Sequence, residues 1–298
     1  MKRILRKATP YLMILPIFVL LGIFAFYPIA LSVIKSFYRW SGGFNGENGI
    51  NEFIWFANYK SLFTDSIFWQ SWGNSLFFIV TGVIVNLIFP FLTALMIFAV
   101  QNPKSSYRWR VALVIPMVVP SMVIFLLWQF IYDGSNVGVI NNILHLFGAD
   151  KNVDLLGNSR SVKWAIRFMG IPWCGGTNLL IYFAGLAGID NSLREAATLD
   201  GASTFKKVLF IDIPLSKNQF KMIFTLSIIG EVQDFVKIQT VTGGGPGYSS
   251  YVPGLYMYNL AFNSSEYGLA SALGVIMMLV MFTFNKLGDL VFRKEKDL

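Results

Sequence analysis

The sequence predicts an all-α, polytopic membrane protein with six transmembrane helices and cytoplasmic N- and C-termini. Three observations predict it: long apolar runs, scarce charge, and basic residues gathered at alternate ends of those runs. Of 298 residues, 55% are hydrophobic and 13% charged, against about a quarter charged in a soluble domain. A helix needs about 20 apolar residues to cross a hydrocarbon core. Six stretches meet that length, at about 11–34, 76–100, 111–132, 168–189, 220–242 and 267–287. No second domain is signalled, so 1–298 reads as a single transmembrane domain.

The first span follows Lys2, Arg3, Arg6 and Lys7. A basic start before an apolar run resembles a signal peptide, but this run exceeds the roughly 7–15 residues of a signal core and no small-x-small cleavage site follows. It is expected to stay as a helix. Prolines at 16, 28, 90, 116, 120 and 172 fall in or near the spans; inside a bundle, neighbouring groups satisfy the backbone that a proline frees. Lys104, Arg108 and Arg110 separate the second and third spans, and Arg194, Lys206, Lys207 and Lys217 the fourth and fifth. Arg293, Lys294 and Lys296 follow the sixth. The other loops lack this excess: 39–75 balances Arg39 and Lys60 against Glu47, Glu52 and Asp65, and 243–266 has no Lys or Arg. By the positive-inside rule the basic loops and both termini are cytoplasmic. Of the outer loops, 41–75 carries Trp55, Phe56, Tyr59, Phe63, Phe68, Trp69 and Trp72, suited to the membrane interface. In 135–161, Val139-Ile140, Ile143-Leu144 and Leu146-Phe147 are spaced for a short amphipathic helix.

Several chemistries are excluded. The +8 net charge sits at span flanks rather than in a basic run with interleaved aromatics, so it encodes topology and not nucleic-acid binding. The lone His145 rules out HExxH and multi-histidine metal sites. The lone Cys174 makes no internal disulfide and reads as a small buried residue. The glycine run Gly243–Gly247 lacks the lysine of a phosphate loop, and no G-x-x-x-x-G-K-[ST] occurs. No catalytic residue, metal or cofactor is assigned to this chain.

The cytoplasmic loop 190–217 is the most informative segment. Glu195 to Leu199, including Ala196 and Ala197, suits a short helix; Asp200-Gly201 is a turn signal. After Ala202, Ser203 or Thr204 can cap a second short helix that Pro214 is expected to stop. The paired alanines leave room for a partner's backbone, and Lys206 and Lys207 keep one side wet. Such a helix–turn–helix fits a groove on a partner.

Glu-Ala-Ala, three residues, Gly, nine residues, Ile, one residue, Leu-Pro is the signature loop of ABC importer permeases, and this chain resembles that family. It matches at Glu195, Ala196, Ala197, Gly201, Ile211 and Pro214, with Ile213 where the pattern prefers Leu. Phe26-Tyr27-Pro28, Ala184-Gly185-Leu186 and Thr242-Gly243-Gly244-Gly245-Pro246 are similar to the carbohydrate-uptake branch, the maltose and glycerol-phosphate permeases. The resemblance covers about 11–292. It implies a binding-protein-dependent type I importer in the bacterial inner membrane. The implied partners are a second permease in a heterodimer, two cytoplasmic ATPases that hold ATP and magnesium, and an extracytoplasmic solute-binding protein. The implied cargo is a sugar or oligosaccharide moved by alternating access.

Charges inside a span are costly and face a bundle interior or water. The fifth span holds Glu231, Gln233, Asp234, Lys237 and Gln239, with Glu231/Asp234 and Asp234/Lys237 at i, i+3. Two readings stand: a hydrogen-bonding path for sugar hydroxyls, or an internal brace. Trp173, Asn178 and Tyr182 in the fourth span are further pathway candidates. Arg167 and Lys163 read as snorkelling anchors in preference to a site for an anionic saccharide or phosphoester. The competing class, an ion-coupled secondary transporter using Glu231, Asp234 and Lys237, lacks inverted repeats and leaves the docking loop unexplained.

Overall fold

Apolar runs dictate helices here because an unpaired backbone group in hydrocarbon costs several kcal/mol, and a helix pairs its own. The computed structural model describes residues 2–42, 49–171 and 176–292. In chain order, α1 (Lys2–Leu21) passes through a π-helical turn (Gly22–Phe26) into α2 (Tyr27–Lys35). A hairpin of β1 (Tyr38–Ser41) and β2 (Ile50–Phe53) leads to α3 (Ala57–Thr64) and the long α4 (Ser66–Phe98). Next come α5 (Pro103–Val114), a 3-10 turn (Ile115–Val118), α6 (Ser121–Ile131), α7 (Val139–Leu146), α8 (Val162–Phe168) and α9 (Gly176–Ala187). Then α10 (Asn191–Leu199), α11 (Thr204–Lys207), a π turn (Val208–Asp212) and α12 (Ile213–Leu215) precede α13 (Lys217–Gln233) and α14 (Val236–Val241). The described chain closes with α15 (Pro253–Tyr258), a π turn (Asn259–Asn263) and α16 (Tyr267–Val291).

Three described helices are long and apolar enough to cross a membrane: Tyr11–Lys35, Ser66–Phe98 and Tyr267–Val291. They correspond to the first, second and sixth expected spans. The expected span 111–132 is instead a bent pair, Pro103–Val118 and Ser121–Ile131, turned by 88°. Pro116 and Pro120 explain it: each lacks an N–H, and Val119 before Pro120 is extended, as the residue before a proline prefers. The stretch 168–189 contains the break between α8 and α9, where Gly170 has φ +89°, and α9 is only 12 residues long. The stretch 220–242 breaks at Asp234, which leaves the helical region (φ −78°, ψ 79°).

The chain packs as two units. The first joins residues 1–68 and 256–279. Its hairpin departs from the all-α expectation: Tyr38, Trp40 and Phe53 favour a pleated strand, and Tyr38 pairs with Phe53 and Arg39 with Glu52 across it. Buried Asn58 holds the hairpin to α2, donating to the carbonyls of Ser36 (2.8 Å) and Tyr38 (2.9 Å), while the Tyr59 hydroxyl donates to Ser36 Oγ at 2.7 Å. Gly268 lies so close that an added Cβ would sit 2.0 Å from the Tyr38 carbonyl oxygen. The Tyr256 hydroxyl donates to the Asp65 carboxylate. In the 135–161 stretch of the other unit, α7 occupies the expected amphipathic segment.

That second unit spans 69–255 and 280–298. Its core packs Phe91, Ala94 and Ile97 of α4 against Leu179, Tyr182 and Leu186 of α9 and Ile223 of α13. Phe91, Tyr182 and Phe220 meet as a ring trio with centroids 4.8–5.2 Å apart.

Gly268→Ala is expected to lower the thermal midpoint of the detergent-solubilised protein, since the obstacle is backbone and cannot swing aside. Gly73→Ala, inside α4 with nothing within 4 Å of the added carbon, is expected to hold or slightly raise it, since alanine is the better helix former; a scanning thermal-shift assay compares the two.

Candidate functional site

The loop after α9 builds its turn from capping chemistry. Asp190 caps α10 by accepting the Ser192 N–H at 2.9 Å, and that backbone bond holds its carboxyl below the usual carboxylate range. At the other end the Ala202 N–H reaches the Ala197 carbonyl (2.9 Å) and the Gly201 N–H the Thr198 carbonyl (3.1 Å). This is a Schellman closure, which requires a left-handed residue at Gly201, φ +75°. Ser203 then caps α11 through the Lys206 N–H. Glu195 and Ala196 face outward, Ala197 is half-buried, and Asp200 ends α10. Pro214 does not end the second helix, contrary to expectation. The backbone stays right-handed helical through Lys207, Asp212 and Ile213 into Pro214; the π turn that holds Ile211 closes with the Ile213 N–H on the Val208 carbonyl, and the run breaks only at Ser216.

A pair that the sequence reading missed locks this loop. Arg194 donates to Asp212 Oδ1 from Nε (3.0 Å) and Nη2 (2.7 Å), and Nη2 also reaches the Leu186 carbonyl at 3.3 Å. Its guanidinium lies 4.3 Å from the Phe98 ring centroid. The loop's outer surface is apolar: Leu199, Phe205 and Phe210 are 89%, 74% and 71% exposed.

Within the second unit a cavity of about 320 Å³ is bordered by Asn86, Asn178, Leu226, Ser227, Gly230, Glu231 and Asp234. The structure thus brings together three of the pathway candidates, Asn178, Glu231 and Asp234. Lys237 pairs with Asp234 at 2.7 Å, one helical step on. Gln233 points elsewhere, toward Met281 Sδ at 3.8 Å. Tyr182 is fully buried in the ring trio, away from the cavity. Trp173 lies outside the described residues.

Arg167 is corrected. It is not a snorkelling anchor but a buried residue, 9% exposed. Its Nη1 and Nη2 each donate to a Glu231 oxygen at 2.7 Å, and Nε donates to Thr81 Oγ1 at 2.9 Å. Nη2 also donates to the Phe78 carbonyl at 2.5 Å. Gly82 makes room: a Cβ there would lie 2.0 Å from Glu231 Oε1. Glu231 and Asp234, at i, i+3, take different partners: Glu231 turns to Arg167 and Asp234 to Lys237. Lys163 reaches Asn74 Oδ1 at 3.3 Å instead of lipid headgroups.

The sequence model of the binding-protein-dependent transport system inner membrane component matches residues 93–296, two thirds of the chain and the whole of this loop. The chain belongs to that family. This inner membrane component is similar to the probable ABC transporter permease protein YurN of Bacillus subtilis (28% identical, 98% of each chain). It is also similar to the lactose transport system permease LacF of Rhizobium radiobacter (28% identical; 92% of this chain, 91% of the relative). The sulfoquinovosyl glycerol transport system permease SmoG of Agrobacterium fabrum is 31% identical over 89% of this chain and 84% of its own. Among solved structures, a chain of a bacterial ABC transporter involved in import of the acidic polysaccharide alginate shares the fold, with TM-score 0.85, 21% identity and 99% of both chains covered.

Gly82, Ser227, Asn86 and Asp212 carried no expectation from the sequence, and Arg167 carried the wrong one. Asp212 is the one with a signal in view, an acidic residue between the two matched positions Ile211 and Pro214. Breaking a buried ion pair from one side costs about 3–5 kcal/mol, whereas replacing both partners by apolar groups is often neutral. Glu231→Leu alone is therefore expected to lower the thermal midpoint sharply, and Arg167→Leu/Glu231→Leu to restore most of it. For α10, the depressed Asp190 pKa means its cap is intact above about pH 4 and lost as pH falls through the folded value. Protection factors of the first α10 amides, which are corrected for the intrinsic slowing of exchange in acid, should therefore fall on acidification, and Asp190→Asn should remove that dependence.

Proposed function

We propose that this inner membrane component is the membrane-spanning permease of an ATP-driven importer for a sugar or oligosaccharide, handed over by an external solute-binding protein. Six crossings with both termini cytoplasmic fit the basic loops, the bent and broken segments supplying the third, fourth and fifth. Broken helices at membrane depth are tolerated where they are buried in protein or line a cavity. The partners are a second permease, two ATPases that hold ATP and magnesium, and the binding protein. The chain itself acts as one membrane domain.

The observation that carries this reading is the loop at Glu195–Pro214: a turn closed by Gly201, pinned by Arg194–Asp212, with Leu199, Phe205 and Phe210 turned outward. An exposed apolar surface on a braced loop is suited to docking on another subunit. Closure of the ATPases would move the loop as a rigid element and switch the path between inward and outward access. The cargo reading is supported by relatives named for lactose and for sulfoquinovosyl glycerol, and by the amide and hydroxyl lining of the cavity.

Purified with its partners, the chain is expected to bring down an ATPase, and uptake should stop when ATP is depleted. Gly201→Val forces a β-branched residue into a left-handed conformation that costs about 1–2 kcal/mol and is expected to cut uptake roughly tenfold, the factor for 1.4 kcal/mol of lost docking. Undiminished uptake by that variant, together with indifference to ATP, would sink the reading.

A further inference from the structure

We propose that the cavity beside α13 is selective for uncharged saccharides, with Asp234 as the residue that rejects anionic ones. This rests on the sugar-permease reading and names the substrate class of the same site.

The polar border of the cavity is set up for hydroxyl groups. Asn178 Nδ2 reaches Asn86 Oδ1 only at 3.4 Å, a long bond that leaves both amides free for shorter ones. A sugar hydroxyl, donor and acceptor at once, pairs with either amide in either sense.

The charges point the same way. Glu231 and Asp234 border the cavity; Arg167 and Lys237, their counter-charges, do not. The net charge of the four is zero, but the oxygens come first. Four hydrogen bonds, to Glu231, Thr81 and the Phe78 carbonyl, hold the Arg167 guanidinium, so it has little to offer a ligand. The Lys237 ammonium is held against Asp234 at 2.7 Å. A carboxylate or sulfonate in this space meets like charge before it meets a cation. A polyol meets carboxylate, amide and hydroxyl acceptors and donors without penalty.

The test is saturation-transfer NMR on the assembled importer, this chain with its partner permease and ATPases in lipid nanodiscs. The neutral probes are maltotriose, cellotriose and raffinose; the acidic probe is trigalacturonate. At least one neutral trisaccharide is expected to take up saturation, with trigalacturonate at least tenfold weaker. Asn178→Ala should reduce the neutral signal, and Asp234→Asn, which leaves Lys237 unpaired, should raise that of trigalacturonate. Trigalacturonate binding the wild type as well as the neutral sugars do overturns the selectivity and leaves the sugar reading standing. No signal from any of the four overturns both. If the Asp234→Asn assembly does not form, the wild-type comparison decides alone.

Discussion

A guanidinium in an apolar bundle must be matched by an anion and by hydrogen bonds to every N–H it can spare, or it is expelled toward water. Arg167 meets this demand by reaching the Phe78 carbonyl and Thr81 on α4 and both oxygens of Glu231 on α13. One side chain thereby fixes three helices. The constraint matters because α8, which carries it, has only seven residues and cannot be located by its own length. Gly82 completes the arrangement by omission, since any side chain there would displace the carboxylate. Once Glu231 is held, the border of the cavity is set, and Asn86, Asn178 and Ser227 take their places around it.

The same physics recurs in the loop at smaller scale. Arg194 ties α10 to Asp212, to the end of α9 through the Leu186 carbonyl and to α4 through the Phe98 ring. A force on the outward face of α10 thus has a bonded route into helices that also carry cavity residues, Asn86 on α4 and Asn178 on α9. The turn contributes stiffness of another kind. A Schellman closure satisfies the orphan carbonyls at the end of α10 and dictates the direction in which α11 departs.

Some of this was legible in the chain because it rests on local chemistry. Asp200-Gly201 signalled its turn, Ser203 or Thr204 a cap that the structure gives to Ser203, and the apolar pairs at 139–147 the short α7. Pro214 misled because a helix can run through a proline where its ladder is already widened, and here a π turn comes directly before it. The apolar runs at 111–132, 168–189 and 220–242 looked continuous because hydropathy does not register where the backbone bends. Arg167 misled for a related reason: at the end of an apolar run, the choice between snorkelling outward and turning inward is made by a glutamate 64 positions away.

By itself, the sequence determined what depends on composition and short spacing: a helical membrane chain, its basic and neutral loops, and a turn at Asp200-Gly201 between Glu195 and Pro214. Tertiary structure alone decided which charges neutralise which. Arg167 pairs with Glu231, Arg194 with Asp212 and Asp234 with Lys237, and only the last pair was within reach of helical periodicity. The physical reason is that Coulomb energy depends on separation and dielectric, and neither is known until the helices have packed.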